Sequence, residues 1–394
     1  MSGFFKNVAL SVAVLMFCLF VADRALPLLI PVTRATLESD PLLGLKGRPE
    51  VDTVWSREIT HPIPLHLNRY GFHDYERSIQ KNPGTFRIVT LGDSFVEAYQ
   101  MPLQQNFSQI LEWQLNHDGL KAPQGAPLRI QVYNQGIHGY GLGAYYLYVE
   151  HRLDKWSPDA LVLCFFLGND FVDNYYPFAT HVVPRFALKD GKLDYYPPEQ
   201  SRTTWLRDHI LAHSNIAVTL GEAIRGHRGL LALARNNGFV SWAPTQGLSE
   251  RQRSEVLTIA RLQLRGIGQH LAARHVRLFV LVIPDPHRVQ DLAGGHLDPD
   301  FAGTAPQDRA FLERGLLTIL ETEGIPHEYP LGLFVNQVRQ GHSMYLENVG
   351  HLTAEGHRQV AEVLQNPLRQ MIESDASHSA VSASASVHEF SPSR

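Results

Sequence analysis

The sequence predicts an α/β fold in which helices cover both faces of a mostly parallel sheet. Apolar stretches of strand length alternate with stretches whose apolar residues recur at helical spacing. The run from Ala160 to Phe166 is apolar at every position, which is typical of a strand buried on both faces. Serine, glycine and asparagine directly follow predicted strands, at the edge where such sheets bind ligands.

The elements of this sheet can be placed in order along the chain. Apolar residues three and four positions apart mark the helices, and a capping box marks the start of one of them. In order, we predict a strand at 86–91, a helix from Phe107 to Leu115, a strand at 129–134, a helix near 144–153, a strand at 160–166, a helix opened by Ser249–Gln252, a strand at 276–283, a helix at 309–323 and a last helix capped by Thr353.

The N-terminus carries a targeting signal, which we assign to residues 1–32. Lys6 precedes the uncharged run from Val8 to Ala22, and Asp23-Arg24 follows it. We predict an uncleaved signal anchor that crosses the membrane and leaves Lys6 inside, with a cleaved signal peptide as the alternative. A cleavage site is disfavoured because Phe20 stands where a small residue is needed.

The rest of the chain divides into three regions. Residues 33–84 have mixed charge, several prolines and no sustained period, which predicts a linker and lead-in segment. The main domain spans 85–374, and an aromatic- and proline-rich stretch at about 171–248 is predicted to be an insertion over the active-site edge. The tail 375–394 is rich in serine and alanine and is predicted to be disordered.

Composition excludes several classes of function. A net charge of −4 with 35 basic residues does not indicate the excess of positive charge that is typical of nucleic-acid-binding proteins. The chain shows neither a phosphate loop nor a metal cluster with recognisable ligand spacing, so we predict no cofactor and no metal. The two cysteines, Cys18 in the N-terminal run and Cys164 in a buried strand, are not expected to form a disulfide.

Four short segments in a fixed order supply what acyl-ester chemistry needs: a nucleophile, donors to an oxyanion, and a general base. A single Gly-Asp-Ser would mean little, since short motifs of common residues recur by chance. Four in order, each beside a predicted strand end or helix start, are specific. They are Gly92-Asp93-Ser94-Phe95, Gly136-Ile137-His138-Gly139, Gly168-Asn169-Asp170 and His351-Leu352-Thr353.

Ser94 and His351 are the candidate nucleophile and base. A serine hydroxyl at a strand-to-helix turn projects into a cleft, but it needs an adjacent base to attack an ester. The simpler interpretation of Ser94, a helix N-cap, is outweighed by the other three segments. His138 and His357 compete for the role of base, and His351 is preferred because its loop leads into the final helix.

Gly139 and Asn169 are the candidate oxyanion donors. A glycine lets its backbone N–H approach a developing oxyanion without a side chain in the way. The Asn169 amide follows a buried strand and is placed to donate to the same oxyanion. Ordinary turn formation is the alternative interpretation of both residues.

Together these segments resemble the GDSL/SGNH hydrolase family of serine esterases over roughly 86–368, less the insertion. The resemblance implies a flavodoxin-like three-layer α/β/α sandwich. It also implies that Ser94 is the nucleophile and His351 the base. The oxyanion donors would be the Ser94 N–H, the Gly139 N–H and the Asn169 side chain.

One position departs from the family pattern, which places an aspartate three residues before the catalytic histidine. Here that position is Asn348. An asparagine can orient an imidazole by hydrogen bonding, but it cannot stabilise the imidazolium by charge. The neighbouring Glu347 is an alternative orienting group, as is a backbone carbonyl.

The function predicted from these residues is that of an exported serine ester hydrolase with a Ser-His acyl-enzyme mechanism. The anchored layout, with Asn68-Arg69-Tyr70-Gly71-Phe72 ahead of the serine segment, resembles exported bacterial members. This predicts a single pass through the inner membrane and a catalytic domain in the periplasm. Expected substrates are ester-bearing small molecules or O-acyl groups of cell-envelope polysaccharide or lipid. The alternatives are an O-acetyltransferase on the same scaffold and a catalytically idle carbohydrate-binding protein.

Overall fold

The structure is a computed structural model of the chain. It describes residues 2–30, 32–56, 59, 61–122, 125–199, 202–226, 247–295, 306–346 and 350–387. Within these residues the strands are Leu37–Asp40 (β1), Gly44–Gly47 (β2), Val51–Trp55 (β3), Ile63–Leu67 (β4), Thr85–Gly92 (β5), Arg129–Gly136 (β6), Ala160–Phe166 (β7), Arg185–Lys189 (β8), Lys192–Tyr196 (β9), Arg277–Ile283 (β10) and His327–Glu328 (β11).

The helices alternate with the strands of the main domain, as the sequence predicts. The predicted capping box is present, since Ser249 and Gln252 cap each other at the start of their helix. In chain order the helices are Ser2–Leu29 (α1), Ser94–Glu97 (α2), Phe107–His117 (α3), Leu142–His151 (α4), Arg202–His209 (α5), Asn215–Gly226 (α6), Glu250–Ala272 (α7), Pro286–Ala293 (α8), Pro306–Thr322 (α9), Leu331–Arg339 (α10) and Ala354–Val387 (α11).

The central sheet has five parallel strands in the order β11-β10-β7-β5-β6. Numbered by their own sequence order, these strands run 5-4-3-1-2, which is the flavodoxin-like order read from the opposite edge. Every residue of β5 and β7 is buried, because strands at the centre of a parallel sheet are covered on both faces. The α/β class and the flavodoxin-like sheet expected from the sequence are therefore confirmed.

Two hydrophobic layers hold helices against the sheet. Because side chains alternate along a strand, Leu163 and Val282 face one layer, and Cys164 and Leu281 face the other. The first layer contains α4, α7 and α9, and the second contains α3, α8, α10 and α11. The result is the three-layer sandwich implied by the motifs.

The lead-in region 33–84, for which the sequence predicts a linker, contains two antiparallel strand pairs, β1–β2 and β3–β4. These strands have only four or five residues, and a clear period-2 alternation is present only in β4, where Ile63, Leu65 and Leu67 are more buried than the residues between them. The end of β2 packs closely on the backbone after β4. A Cβ built on Gly47 would lie 1.7 Å from the Gly71 carbonyl oxygen, so only a glycine fits there. The region also packs on the main domain, since the Asn134 N–H donates to the Asp74 carboxyl group at 3.1 Å and Leu43 and Phe72 belong to the first hydrophobic layer.

The C-terminal helix differs from its expected extent. The sequence predicts disorder from Asp375, whereas α11 continues to Val387. No glycine or proline follows Pro367 within this helix, and alanine, the strongest helix former, is frequent there.

Helix α1 is the one helix among the described residues that is long and apolar enough to cross a membrane, over Phe4–Leu29. Near its C-terminal end, Asp23 contacts the start of α6. Its carboxylate accepts hydrogen bonds from the Ser214 hydroxyl (2.7 Å) and the Ile216 N–H (3.0 Å). The Asn215 side chain donates to the Asp23 carbonyl at 2.8 Å. We call this set of contacts the Asp23 clasp.

Candidate active site

Ser94 is the first residue of α2 and directly follows the turn at the carboxyl end of β5. Asp93 is the N-cap of this helix, and its carboxylate accepts a hydrogen bond from the Phe95 N–H at 3.0 Å. The cap role considered for Ser94 therefore belongs to Asp93. Among the described residues the Ser94 N–H has no hydrogen-bond partner, as expected at the first turn of a helix.

The structure brings Ser94 and His351 together across 257 positions of sequence. The Ser94 Oγ and the His351 Nε2 lie 2.8 Å apart, a hydrogen-bond distance suited to proton transfer. The Phe95 ring packs beside the imidazole, with ring centroids 5.2 Å apart. This contact between the candidate nucleophile and the candidate base is the central feature of the site.

The loop that carries His351 is held from both sides. The Leu346 N–H donates to the His351 carbonyl at 2.8 Å, and the Thr353 N–H donates to the Met344 carbonyl at 3.0 Å. The Thr353 hydroxyl accepts from the Gly356 N–H at 3.1 Å, so Thr353 caps α11 as predicted. The imidazole is thus presented from a loop that is fixed at the start of a helix.

Gln100 contacts the other nitrogen of the imidazole and was not predicted from the sequence. Its side-chain amide nitrogen lies 2.9 Å from the His351 Nδ1, and the side chain is buried. With the amide nitrogen facing the ring, Gln100 donates to Nδ1. Nδ1 is then the acceptor, and the proton of the neutral imidazole is on Nε2. Turning the amide by 180° exchanges its N and O, and Nδ1–H then donates to the Gln100 oxygen. In that second arrangement Nε2 carries no proton, so it can accept the proton of the Ser94 hydroxyl.

The residues expected to orient His351, Asn348 and Glu347, lie outside the described residues. Their roles stay predictions. No sequence signal marked Gln100 as a partner of His351, because a glutamine six residues after the serine is common, and its contact spans 251 positions.

Gly139 lies in the loop that follows β6, with a backbone φ of +80°, a conformation that favours glycine. In the register of the sheet, Gly136 pairs with Gly92, so this loop begins beside the serine turn. Gly141, at the other end of this loop, packs against the loop that follows β7 and carries Asn169. The packing is close, because a Cβ built on Gly141 would lie 2.9 Å from the Asn174 side-chain oxygen and 3.2 Å from the Asp170 carbonyl oxygen. The second and third segments are therefore in direct contact.

Asn169 follows β7 and is oriented by the carboxyl group of Asp173. Its side-chain amide nitrogen donates to Asp173 at 2.5 Å, which leaves its second N–H for another acceptor. The Asp170 carboxylate accepts from the Phe166 N–H at 2.8 Å and from the Tyr145 hydroxyl at 3.2 Å. Asp170 therefore fixes the loop from which the Asn169 amide projects.

Three acidic side chains beside this site have raised pKa values. Burial raises the pKa of Asp93 to about 6, although the nearby His351 opposes the shift. Burial and the charge of Asp93 raise the pKa of Asp173 to about 8, and the same two causes hold the pKa of Asp170 well above its usual range. At neutral pH, Asp173 is therefore mostly protonated, and the site carries less negative charge than its composition suggests.

The two competing histidines have other roles. His357 is 1% exposed, stacks on Phe107, and burial lowers its pKa to about 3, so it is a neutral core residue. The His138 Nδ1 lies 2.8 Å from the Glu97 carboxylate. Of the three histidines considered as base, His351 is the one hydrogen-bonded to Ser94.

Within the described ranges, no group of three or more His, Cys, Asp or Glu side chains is arranged to hold a metal ion. The site described above rests on serine, histidine, amide and carboxyl groups.

Comparison with known proteins finds likenesses only among solved structures; no family model and no curated protein matches the chain. An acetyl xylan esterase is 11% identical, with a TM-score of 0.39, covering 72% of this chain and 99% of its own. A lipolytic protein of the G-D-S-L family from Desulfitobacterium hafniense is 10% identical, with a TM-score of 0.37, covering 71% and 98%. A mutant acetyl-xylooligosaccharide esterase from Geobacillus is 13% identical, with a TM-score of 0.38, covering 71% and 93%. At these identities and TM-scores, the solved structures carry no argument about this chain. Its fold class rests on its own strand order, and its candidate chemistry rests on the contacts of its own residues.

Proposed function

We propose that this protein is a serine ester hydrolase that acts through an acyl-enzyme on Ser94. The observation that carries the proposal is the 2.8 Å contact between the Ser94 Oγ and the His351 Nε2. A binding protein has no use for a nucleophile joined to a base. The contact therefore favours an enzyme over the idle carbohydrate-binding alternative.

The reaction proceeds in two halves. The Ser94 oxygen attacks the ester carbonyl carbon as the His351 Nε2 takes the hydroxyl proton. The tetrahedral intermediate collapses, the bond to the alcohol oxygen breaks, and the alcohol leaves with that proton. Water then attacks the acyl-enzyme, again losing a proton to Nε2, and the acid is released as Ser94 recovers its hydrogen.

The oxyanion of both tetrahedral intermediates is stabilised by the Ser94 N–H, the Gly139 N–H and the Asn169 amide. The two backbone groups have no hydrogen-bond partner within the described part of the chain. The second N–H of Asn169 is directed by the bond to Asp173. Hydrogen-bond donors that are already in position do not have to reorganise when the negative charge develops, so they stabilise it without a reorganisation free energy.

We also propose that the protein is exported and anchored, with α1 crossing the inner membrane and the catalytic domain in the periplasm. Support comes from the apolar helix at Phe4–Leu29 and from Lys6 on its N-terminal side. The substrates then are esters within reach of the membrane, such as O-acyl groups of cell-envelope polysaccharide or lipid.

The test uses the full-length chain in lipid nanodiscs and p-nitrophenyl acetate as substrate. We expect Ser94→Ala to lower kcat at least about 10⁴-fold, as loss of a triad serine does. A fluorophosphonate should label the wild type and the control Ser254→Ala, which changes an exposed serine of α7, but not Ser94→Ala. Retention of the wild-type rate by Ser94→Ala, with an unchanged circular dichroism spectrum, would refute the proposal.

A further inference from the structure

A cavity of about 390 Å³ lies beside the active site and takes no part in the chemistry proposed above. This volume is within the range of about 300–1,000 Å³ that is usual for small-molecule sites. Its walls come from the stretch 33–37, strands β2 and β3, and the insertion residues 211–221. The large apolar side chains of the lining are Leu37, Leu45, Trp55, Leu211 and Val218. Its polar side chains are His138, Arg34, Thr33 and Thr36.

The cavity adjoins the oxyanion loop through two of its lining residues. His138 immediately precedes Gly139 in the chain. A Cβ built on Gly139 would lie 3.8 Å from the Leu45 side chain, so Leu45 contacts the loop from the cavity side. The Tyr140 hydroxyl donates to the Leu45 carbonyl at 2.8 Å and holds β2 against this loop. A group that occupies the cavity would therefore lie next to the oxyanion donors.

His138 is fixed within this wall by a buried carboxylate. Glu97 accepts from the His138 backbone N–H at 3.2 Å and contacts the ring Nδ1 at 2.8 Å. The Glu97 side chain is only 3% exposed, so a buried group orients the His138 ring. His138 thus places a polar group at the end that meets the oxyanion loop, and Thr33, Arg34 and Thr36 supply the polar groups of the stretch 33–37.

Part of the cavity wall lies close to the end of α1 in sequence. Residues 33–37 follow the last residue of α1, Leu29, after three residues. The Asp23 clasp joins α1 to the start of α6, and α6 supplies Ala217 and Val218 to the cavity wall. The cavity is therefore built in part from segments connected to the proposed membrane helix.

We propose that this cavity binds the acyl chain of a membrane-lipid ester while the ester carbonyl lies at Ser94. Apolar walls gain free energy by removing acyl methylenes from water, at about 0.8 kcal/mol for each buried CH₂. The end near His138 and Gly139 receives the carboxyl carbon, and the end near α1 lies where a chain leaves the bilayer. This inference rests on the proposed esterase and specifies its substrate as a lipid with a medium or long acyl chain.

The test compares acyl-chain lengths in full-length protein in nanodiscs. Ala217→Trp fills the cavity from α6, and Ala35→Trp fills it from the opposite wall. We expect each to lower kcat/KM for p-nitrophenyl decanoate at least tenfold and to leave the value for p-nitrophenyl acetate within about twofold. The control is Leu220→Trp, on the same helix but 58% exposed and not part of the lining. Equal effects on both esters, or no effect on either, would overturn the proposal.

A second measurement separates the cavity from the catalysis. A photoreactive decanoic acid is crosslinked to Ser94→Ala in nanodiscs, and the labelled peptides are mapped by mass spectrometry. Labels at 33–37 and 211–221 that Ala217→Trp removes support the cavity, even if the wild type hydrolyses no ester and the proposed function fails. Labels confined to α1 would show contact with bilayer lipid alone and would refute acyl binding, whatever the esterase assay gives.

Discussion

At the scale of single residues, Gln100 occupies the position where a catalytic histidine is normally oriented by a carboxylate. A neutral amide fixes the ring and its tautomer, but it cannot balance the imidazolium charge that forms during the reaction. The contact therefore predicts a base whose orientation depends on residue 100. It also makes the identity of residue 100 a measurable determinant of rate.

Replacing Gln100 by leucine should lower kcat about 10- to 100-fold, because a hydrogen bond to a charged group contributes about 1.5–3 kcal/mol. Gln100→Glu should restore an acceptor and raise the pKa seen in the pH profile of kcat, since a carboxylate favours the imidazolium. Steady-state kinetics on p-nitrophenyl acetate from pH 5 to 9 measure both effects. Identical pH profiles for Gln100→Glu and the wild type would mean that this side chain does not orient His351.

Asn169 provides a prediction for the oxyanion. Asn169→Ala should lower kcat about 10²–10³-fold with little change in KM, because the lost donor acts on the charge of the transition state. The matched control is Asn174→Ala, which removes a buried asparagine from the same loop; its amide instead donates to the Pro184 carbonyl at 2.7 Å. If the two variants lose activity equally, with equal thermal stability, the role assigned to Asn169 is wrong.

At the scale of elements, the loop that presents His351 depends on the start of α11. A Cβ on Gly356 would lie 2.4 Å from the Met344 carbonyl oxygen, too close to be accommodated without moving the backbone. The residues between these two include His351. Any displacement of the helix start is therefore transmitted to the base.

Gly356→Ala should lower the free energy of unfolding by about 1–3 kcal/mol and lower kcat as well. The same substitution at Gly268, inside α7 with no atom near the new Cβ, should leave kcat unchanged. That control should raise the free energy of unfolding by up to about 1 kcal/mol, because alanine is the better helix former. Thermal melts and assays of both variants distinguish local crowding from a general effect of losing glycine.

The elements differ in how well the sequence predicted them, and the difference has a physical cause. Strand β7 was predicted at its observed bounds because a central parallel strand must be apolar throughout. Strands β1 to β4 were missed, since short surface pairs are held by backbone packing such as that of Gly47 on Gly71. The motifs singled out Ser94 and His351, which the structure places in contact, whereas Gln100 was not predicted because its contact with His351 joins segments 251 positions apart.

At the scale of the whole molecule, buried carboxyl groups link stability to pH. The pKa of Asp173 in the folded protein is about 8, well above the ordinary aspartate value that holds in the unfolded chain. Between these two values the folded state keeps a proton that the unfolded state has released. Stability therefore falls as the pH rises through this window, by at most about 1.4 kcal/mol per pH unit for this one group.

Asp173→Asn should flatten that dependence, because an amide neither gains nor loses a proton. The melting temperature of the wild type should fall between pH 6 and 8 more steeply than that of the variant. Asp194→Asn, which changes a carboxylate of the β9 hairpin far from this group in sequence, serves as the control and should keep the wild-type slope. Parallel curves for the wild type and Asp173→Asn would mean that Asp173 is ionised in the folded protein at neutral pH.

The Asp23 clasp also has a consequence for how an anchored form of this molecule would reach its substrate. A domain on a flexible tether explores a volume whose radius grows with the square root of the linker length. If α1 spans the membrane as proposed, the clasp instead bonds the last turns of α1 to the domain and would hold the candidate site at one height above the bilayer. Encounters would then depend on lateral diffusion of the whole protein in two dimensions, and esters attached far out in the envelope would lie beyond its reach.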